Sequence, residues 1–158
     1  MYFTKGDFES TIKAYRDAID EVNDKIFQAK MQVEIAKRYF DNSIFDKSLT
    51  EFTQYINIYN DVALRAGFDL DKAFYYQARS FYENGSTLLQ KKETQLGQDN
   101  IAQSVKTFER VLKDYPETDL KAVVYYNLGL AYQKIGTPEF IQKAIDEYNL
   151  LMKEFPEI

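Results

Sequence analysis

The stretch Tyr125-Tyr126-Asn127-Leu128-Gly129-Leu130-Ala131-Tyr132, with Ala144, Tyr148 and Pro156 behind it, decides the fold. Tyr125, Leu128, Gly129 and Tyr132 are spaced by three and four, so they share one stripe of a helix. Ala144 and Tyr148 stand four apart on one face of a second helix, and Pro156 marks its end. Between them, Thr137-Pro138-Glu139 reads as a helix start. Thr caps, Pro sits where a missing N–H costs nothing, and Glu complements the helix dipole. Two apolar stripes joined by a short capped link predict an antiparallel helical hairpin.

The same pattern recurs upstream. A small residue, an aromatic four later and a Pro or Asn eight further on appear at Thr11, Tyr15 and Asn23, at Ser48, Phe52 and Asn60, and at Ser104, Phe108 and Pro116. Counterparts of the first helix are Gln32, Ile35, Ala36 and Tyr39, then Tyr75, Ala78, Arg79 and Tyr82. In the first copy only Tyr2 stands for that helix, nine before Thr11 as Tyr39 is before Ser48. Helices are predicted over 7–22, 25–41, 45–66, 71–84, 100–114, 119–135 and 138–154.

The copies are unevenly spaced. Asn23, Asn60, Pro116 and Pro156 are 37, 56 and 40 residues apart. Part of the long interval prolongs the helix after Asn60 to Gly67, a left-handed cap. The rest lies between Tyr82 and Ser104, where Gly85 and Gly97 bracket a polar stretch. Glycine punctuation predicts a longer inter-helix excursion there, partly helical, an insertion over 86–100, with Asp99-Asn100 starting the next helix. Arg79 replaces a small residue at the hairpin crossing, so its side chain must point outward or the pair must open.

Composition excludes several chemistries. The 158 residues carry no His and no Cys, which removes the imidazole base, the usual zinc site, the thiol nucleophile and any disulfide. Isolated glycines make no phosphate loop, and no Gly-x-Ser-x-Gly turn is present. Asp69-x-Asp71 loses a calcium-loop pattern at Ala73 and reads as helix capping. Net charge is −5 with the cations scattered, so nucleic acid is not an expected partner. No apolar run approaches the roughly 18 residues of a membrane span, and the first six residues do not read as a signal peptide. The expectation is no catalytic site, no metal and no cofactor.

These motifs resemble the tetratricopeptide repeat family, whose pattern of aromatic-x2-Leu-Gly-x2-Tyr, Ala-x3-Phe and Pro spans about 34 residues. The resemblance covers essentially the whole chain and is fullest at Tyr125, Leu128, Gly129, Tyr132, Ala144, Tyr148 and Pro156. It implies an all-α superhelical solenoid of antiparallel hairpins, about three and a half repeats in one domain, 1–158. The repeats fall at 1–23 (partial), 25–66, 71–116 and 119–156. The truncated first repeat and uncapped last one imply a piece of a longer protein, or self-association through the ends.

The resemblance further implies a non-enzymatic scaffold whose concave wall, lined by the first helix of each pair, binds a protein or peptide partner. The inward positions are Lys30, Val33, Lys37, Phe40 and Asp41, then Ala73, Tyr76, Ser80, Glu83 and Asn84, then Val123, Tyr126, Leu130, Gln133 and Lys134. Tyr76 and Tyr126 occupy equivalent places, and rigid aromatics with a hydroxyl suit protein recognition. Tyr39, Tyr75, Tyr82, Tyr125 and Tyr132 are at core spacing. Asn127 and Lys134 share a helix, but Tyr76, Ser80 and Asn84 stand where the family's carboxylate clamp wants Lys and Asn, so that clamp is not expected. The hairpin ends Tyr115-Pro116 and Phe155-Pro156 are similar in style to bacterial envelope members, the Tol–Pal coordinator's repeat domain and outer-membrane assembly lipoproteins. They imply a periplasmic or cell-envelope setting. Two further readings stand beside it: a transport accessory that binds a substrate-binding protein or a small ligand, and a cytoplasmic assembly adaptor.

Overall fold

A computed structural model describes residues 5–157, so the expectation placed on Tyr2 lies outside the described residues. Seven helices follow one another, with no strand among the described residues: α1 (Lys5–Glu21), α2 (Lys25–Asp41), α3 (Phe45–Ala66), α4 (Leu70–Gln90), α5 (Thr94–Asp114), α6 (Lys121–Ile135) and α7 (Pro138–Glu154). They form two compact units, residues 1–73 and 74–158.

In the first unit α2 packs against both α1 and α3. Phe8 and Ile12 of α1 meet Ile35 and Tyr39 of α2 in a buried cluster, and the rings of Phe8 and Tyr39 lie edge to face at 5.4 Å. Asp24 starts α2 by accepting hydrogen bonds from the backbone N–H groups of Ile26 (2.8 Å) and Phe27 (3.1 Å), which have no partner inside the helix. A single buried carboxylate ties the three helices. Glu51 of α3 takes the Arg16 guanidinium from α1 and the Gln32 amide from α2, the latter at 2.7 Å. A buried charge is tolerated when its oxygens are taken up this way.

The second unit holds most of α4 with α5, α6 and α7. α6 packs against both α5 and α7. Thr137 caps α7 as its sequence predicts, with Pro138 in the first turn, and Ala144 is buried at the crossing. On α6 at the same crossing Gly129 leaves the space that the Tyr148 ring fills: a Cβ there would lie 2.4 Å from that ring. At the α4–α5 crossing Arg79 instead turns partly outward, its guanidinium held by Glu83 at 3.0 Å and by the Tyr75 hydroxyl at 3.4 Å.

The excursion expected over 86–100 is helix. α4 runs on to Gln90, and α5 begins at Thr94, leaving only three residues between them. Gly85 and Gly97 lie inside the two helices, where the backbones meet. A Cβ on Gly85 would stand 2.9 Å from the Gly97 carbonyl oxygen, and one on Gly97 2.6 Å from Leu89 Cγ. The glycines therefore serve close approach and do not break the helices. Asp99 and Asn100 are likewise interior to α5. Asp99 accepts from Gln95 (2.9 Å), and Asn100 donates to the Leu96 carbonyl (2.9 Å). Aligned on Ser104 and Ala144, α5 begins four residues before α7 does, and aligned on Tyr82 and Tyr132, α4 ends five residues after α6. The hairpin thus overhangs its neighbour by about 6–8 Å at 1.5 Å per residue.

Three helices end alike. Ser43, Gly67 and Lys92 have φ of 59°, 69° and 64°, and after each the chain folds back with a bond to the last turn: Ile44 N–H to Tyr39, Phe68 N–H to Ala63 and Glu93 N–H to Leu88, all at 2.9 Å. This is the 6→1 closure of a Schellman cap. Only Gly67 adopts it without a steric penalty.

Candidate functional site

The outer face of α6 and its neighbours carries the most developed surface. Tyr126 is half exposed, and its ring lies 6.3 Å from that of Tyr148 on α7. The Tyr148 hydroxyl donates to Gln133 Oε1 at 2.9 Å, which pins ring and amide together over Gly129. Tyr82 of α4 lies close enough to Tyr126 and Tyr148 for a charge on one phenol to raise the pKa of another. Burial first, and neighbouring hydroxyls or Glu83 after it, raise the Tyr82 and Tyr148 phenols above their ordinary value. Both stay neutral at physiological pH and can donate and accept. The result is a fixed aromatic surface with hydroxyl and amide edges, suited to gripping polypeptide.

The predicted inward positions divide. In the second unit Tyr126, Gln133 and Lys134 are exposed and Leu130 is half-buried, all on α6. Glu83 is half-buried and paired with Arg79. Tyr76 is half-buried beside Tyr75, ring centroids 5.3 Å apart. Ser80 does not reach the surface. It is fully buried, and its hydroxyl donates back to the Tyr76 carbonyl one turn earlier at 2.8 Å, which satisfies a short polar side chain inside the packed interior. Ala73 is buried too, at the end of the first unit. In that unit Lys30 and Lys37 are exposed and Val33 half-buried. Lys30 Nζ sits over the Phe68 ring at 5.7 Å, and Lys37 pairs with Glu34 at 3.3 Å. Asn127 is buried with its amide bonded to the Val123 carbonyl, so it presents nothing to a ligand. Tyr39, Tyr75, Tyr125 and Tyr132 are buried as their spacing predicts, whereas Tyr82 is only half-buried.

Sequence reasoning missed Tyr82 and Tyr148 as parts of this surface. The Gly129 position carried the signal for Tyr148. A small residue on α6 leaves room for the aromatic four residues after Ala144 to lie across the helix.

A second feature is a cleft of about 450 Å³ between the overhanging tip of α4–α5 and the α6–α7 turn. Leu89, Ile101, Ala102, Ile135 and Phe140 give it an apolar floor, and Gln98, Asp99 and Lys134 are among its polar residues. No helix among the described residues is long and apolar enough to cross a membrane.

Helical hairpins closed by left-handed caps, with small residues at their crossings, define an all-α helical-repeat protein. Residues 72–118, which comprise nearly all of α4, all of α5 and the turn after it, match the family model of the tetratricopeptide repeat, and the chain carries that repeat. No curated protein and no solved structure gives a significant match. Tetratricopeptide repeats generally mediate protein–protein interaction.

Proposed function

We propose that this chain is a protein-interaction scaffold that holds a peptide or protein partner against the α4–α6 face of its second unit. The observation that carries the reading is Tyr126: a half-exposed aromatic ring, backed by Tyr148 and flanked by Gln133. A buried ring serves the core, whereas a braced and exposed one offers area at little entropic expense. Leu130 extends the apolar part, and Lys134 and Glu83 supply charge at the margins. Lys30, Val33 and Lys37 form the corresponding face of the first unit. A bacterial cell-envelope setting is supported by the aromatic-Pro hairpin ends and by a composition without cysteine, which tolerates an oxidising compartment.

The test is capture from the source organism's lysate with immobilised chain, beside Tyr126→Ser and Gln133→Ala. A protein retained by the parent and lost by both variants, with unchanged melting midpoints, supports the reading. Equal recovery by all three overturns it.

The cleft beside the α4–α5 tip favours a second reading, an accessory that holds a small ligand. Native mass spectrometry of the chain purified from its source would show a bound small molecule that Ala102→Trp abolishes.

A further inference from the structure

We propose that the cleft beside the α4–α5 tip binds a small monocarboxylic acid with an apolar body, its carboxylate on Lys134 and its carbon chain on the floor. The inference rests on the second reading above, that the cleft holds a small ligand, and names that ligand's chemistry. The floor is preformed. Ile101 is 1% exposed, and Leu89, Ala102, Ile135 and Phe140 are half-buried. The glycine crossing sets two of these side chains. Gly85 leaves room for Ile101, whose Cδ1 would stand 3.0 Å from a Cβ there, and Gly97 leaves room for Leu89, whose Cγ would stand 2.6 Å from one. The Phe140 ring is 5.6 Å from that of Tyr132, and Lys143 Nζ lies 4.7 Å from its centroid. Apolar walls held by contacts of their own need little reorganisation to take a ligand, and about 450 Å³ lies within the usual range of small-molecule sites. Both walls are hairpins of the second unit. α7 starts at the cleft and runs 17 residues away from it, so the chain leaves that helix about 25 Å from the site.

The polar edge sets the charge of the occupant. Lys134 is the one cation among the described residues that line the cleft, and Asp99 the one anion. Asp99 Oδ1 already accepts the Gln95 amide at 2.9 Å. Lys134 Nζ has neither hydrogen bond nor ion pair among the described residues, and the Gln98 amide has no hydrogen bond there. Thr137 Oγ1 accepts from the Phe140 N–H at 3.5 Å, which leaves the hydroxyl proton to donate. What is left over is a positive charge, an amide and a hydroxyl donor beside apolar carbon. A carboxylate accepts from all three, and its bond to an ammonium is the stronger, charge-assisted kind. Burial of the body on Leu89, Ile101 and Phe140 supplies the rest of the affinity. Asp99 opposes a second negative charge in the same cleft, which favours a monocarboxylate over a dicarboxylate.

The probes are decanoate, acetate (the charge without the body) and decyltrimethylammonium (the body with the opposite charge), each titrated below micelle formation into the intact chain by isothermal calorimetry at pH 7. Saturable binding is expected for decanoate alone. Lys134→Gln should weaken it about tenfold, Lys134→Arg should retain it, and Asp99→Asn should tighten it severalfold. Lys134 and Asp99 are exposed, so the melting midpoints of these variants should match the parent. No saturable decanoate binding, or equal affinity for Lys134→Gln, overturns the proposal. Equal binding of decyltrimethylammonium, lost with decanoate in Ala102→Trp, overturns the anion and leaves the cleft as a ligand site. Undiminished decanoate binding by Ala102→Trp overturns the cleft itself.

Discussion

The ring of Tyr148 fills the space in which a side chain at Gly129 would stand: a Cβ there would lie 2.4 Å from Cε1 and 2.7 Å from Cζ. Gly129→Ala should gain about 1 kcal/mol of helix propensity. It should lose more, about 1–3 kcal/mol of overpacking, for a net fall in stability. The check is urea denaturation of Gly129→Ala alone and combined with Tyr148→Ala. With the ring gone, the alanine should become neutral or stabilising. Independent, additive effects would show that the two residues do not compete for one volume.

Glu51 joins three helices through Arg16 and Gln32. A double-mutant cycle of Arg16→Ala and Glu51→Ala should give a coupling of about 1–2 kcal/mol. The Arg16 side chain is 45% exposed and regains water when unpaired, which keeps the value below that of a fully buried pair. Coupling near zero would reduce the contact to an ordinary surface ion pair.

Glu147 of α7 is half-buried, and its Oε2 finds no hydrogen-bond donor among the described residues. Burial, then the charges of Glu109 and Asp146, push its carboxyl up to about 7 from an ordinary 4.5. The folded state therefore keeps a proton that the unfolded chain has lost between those values. This group's contribution is fully present below pH 4.5 and is lost as pH rises to about 7. Glu147→Gln should match the parent near the acid end and exceed it above neutrality. The gap should be about 1 kcal/mol, well short of full linkage because half the side chain meets water. Melting midpoints across pH 4–8 test this; parallel curves for the two proteins would refute it.

Lys92 holds a left-handed conformation at the end of α4, φ 64°, in the same closure that Gly67 makes after α3. Lys92→Gly should stabilise by about 0.5–1 kcal/mol, as relief of the side-chain clash outweighs the freer unfolded chain. Thermal melts suffice, and a lower midpoint would contradict the cap assignment.

Much of this architecture was legible in the sequence. The predicted helices 25–41, 45–66 and 138–154 coincide with α2, α3 and α7, because Gly67 and Thr137-Pro138 end and start helices by local chemistry alone. The tip of α4–α5 was misread because a glycine is silent about its purpose. Gly85 and Gly97 look like breaks, yet Gly97, Ile101, Ser104, Phe108 and Val111 are spaced by four, three, four and three, and that periodicity carried the correct answer. Of the site, the exposure of Tyr126 followed from the repeat's phase. The burial of Ser80 did not, since it depends on packing between helices and not on spacing within one. Nor did the part of Tyr148, which depends on a contact between two helices.

The lengthened α4–α5 hairpin also says where this kind of chain tolerates growth. Residues added on both sides of a turn extend two helices together, so each new turn of one finds a new turn of the other and nothing beneath the tip changes phase. Length added to one helix alone would rotate every later side chain by about 100° per residue and scramble the crossings below. Matched growth at the tip is therefore a lesion-free way to remodel one face of a repeat, and matched trimming should erase the cleft while leaving the crossings at Arg79, Gly129 and Ala144 as they are.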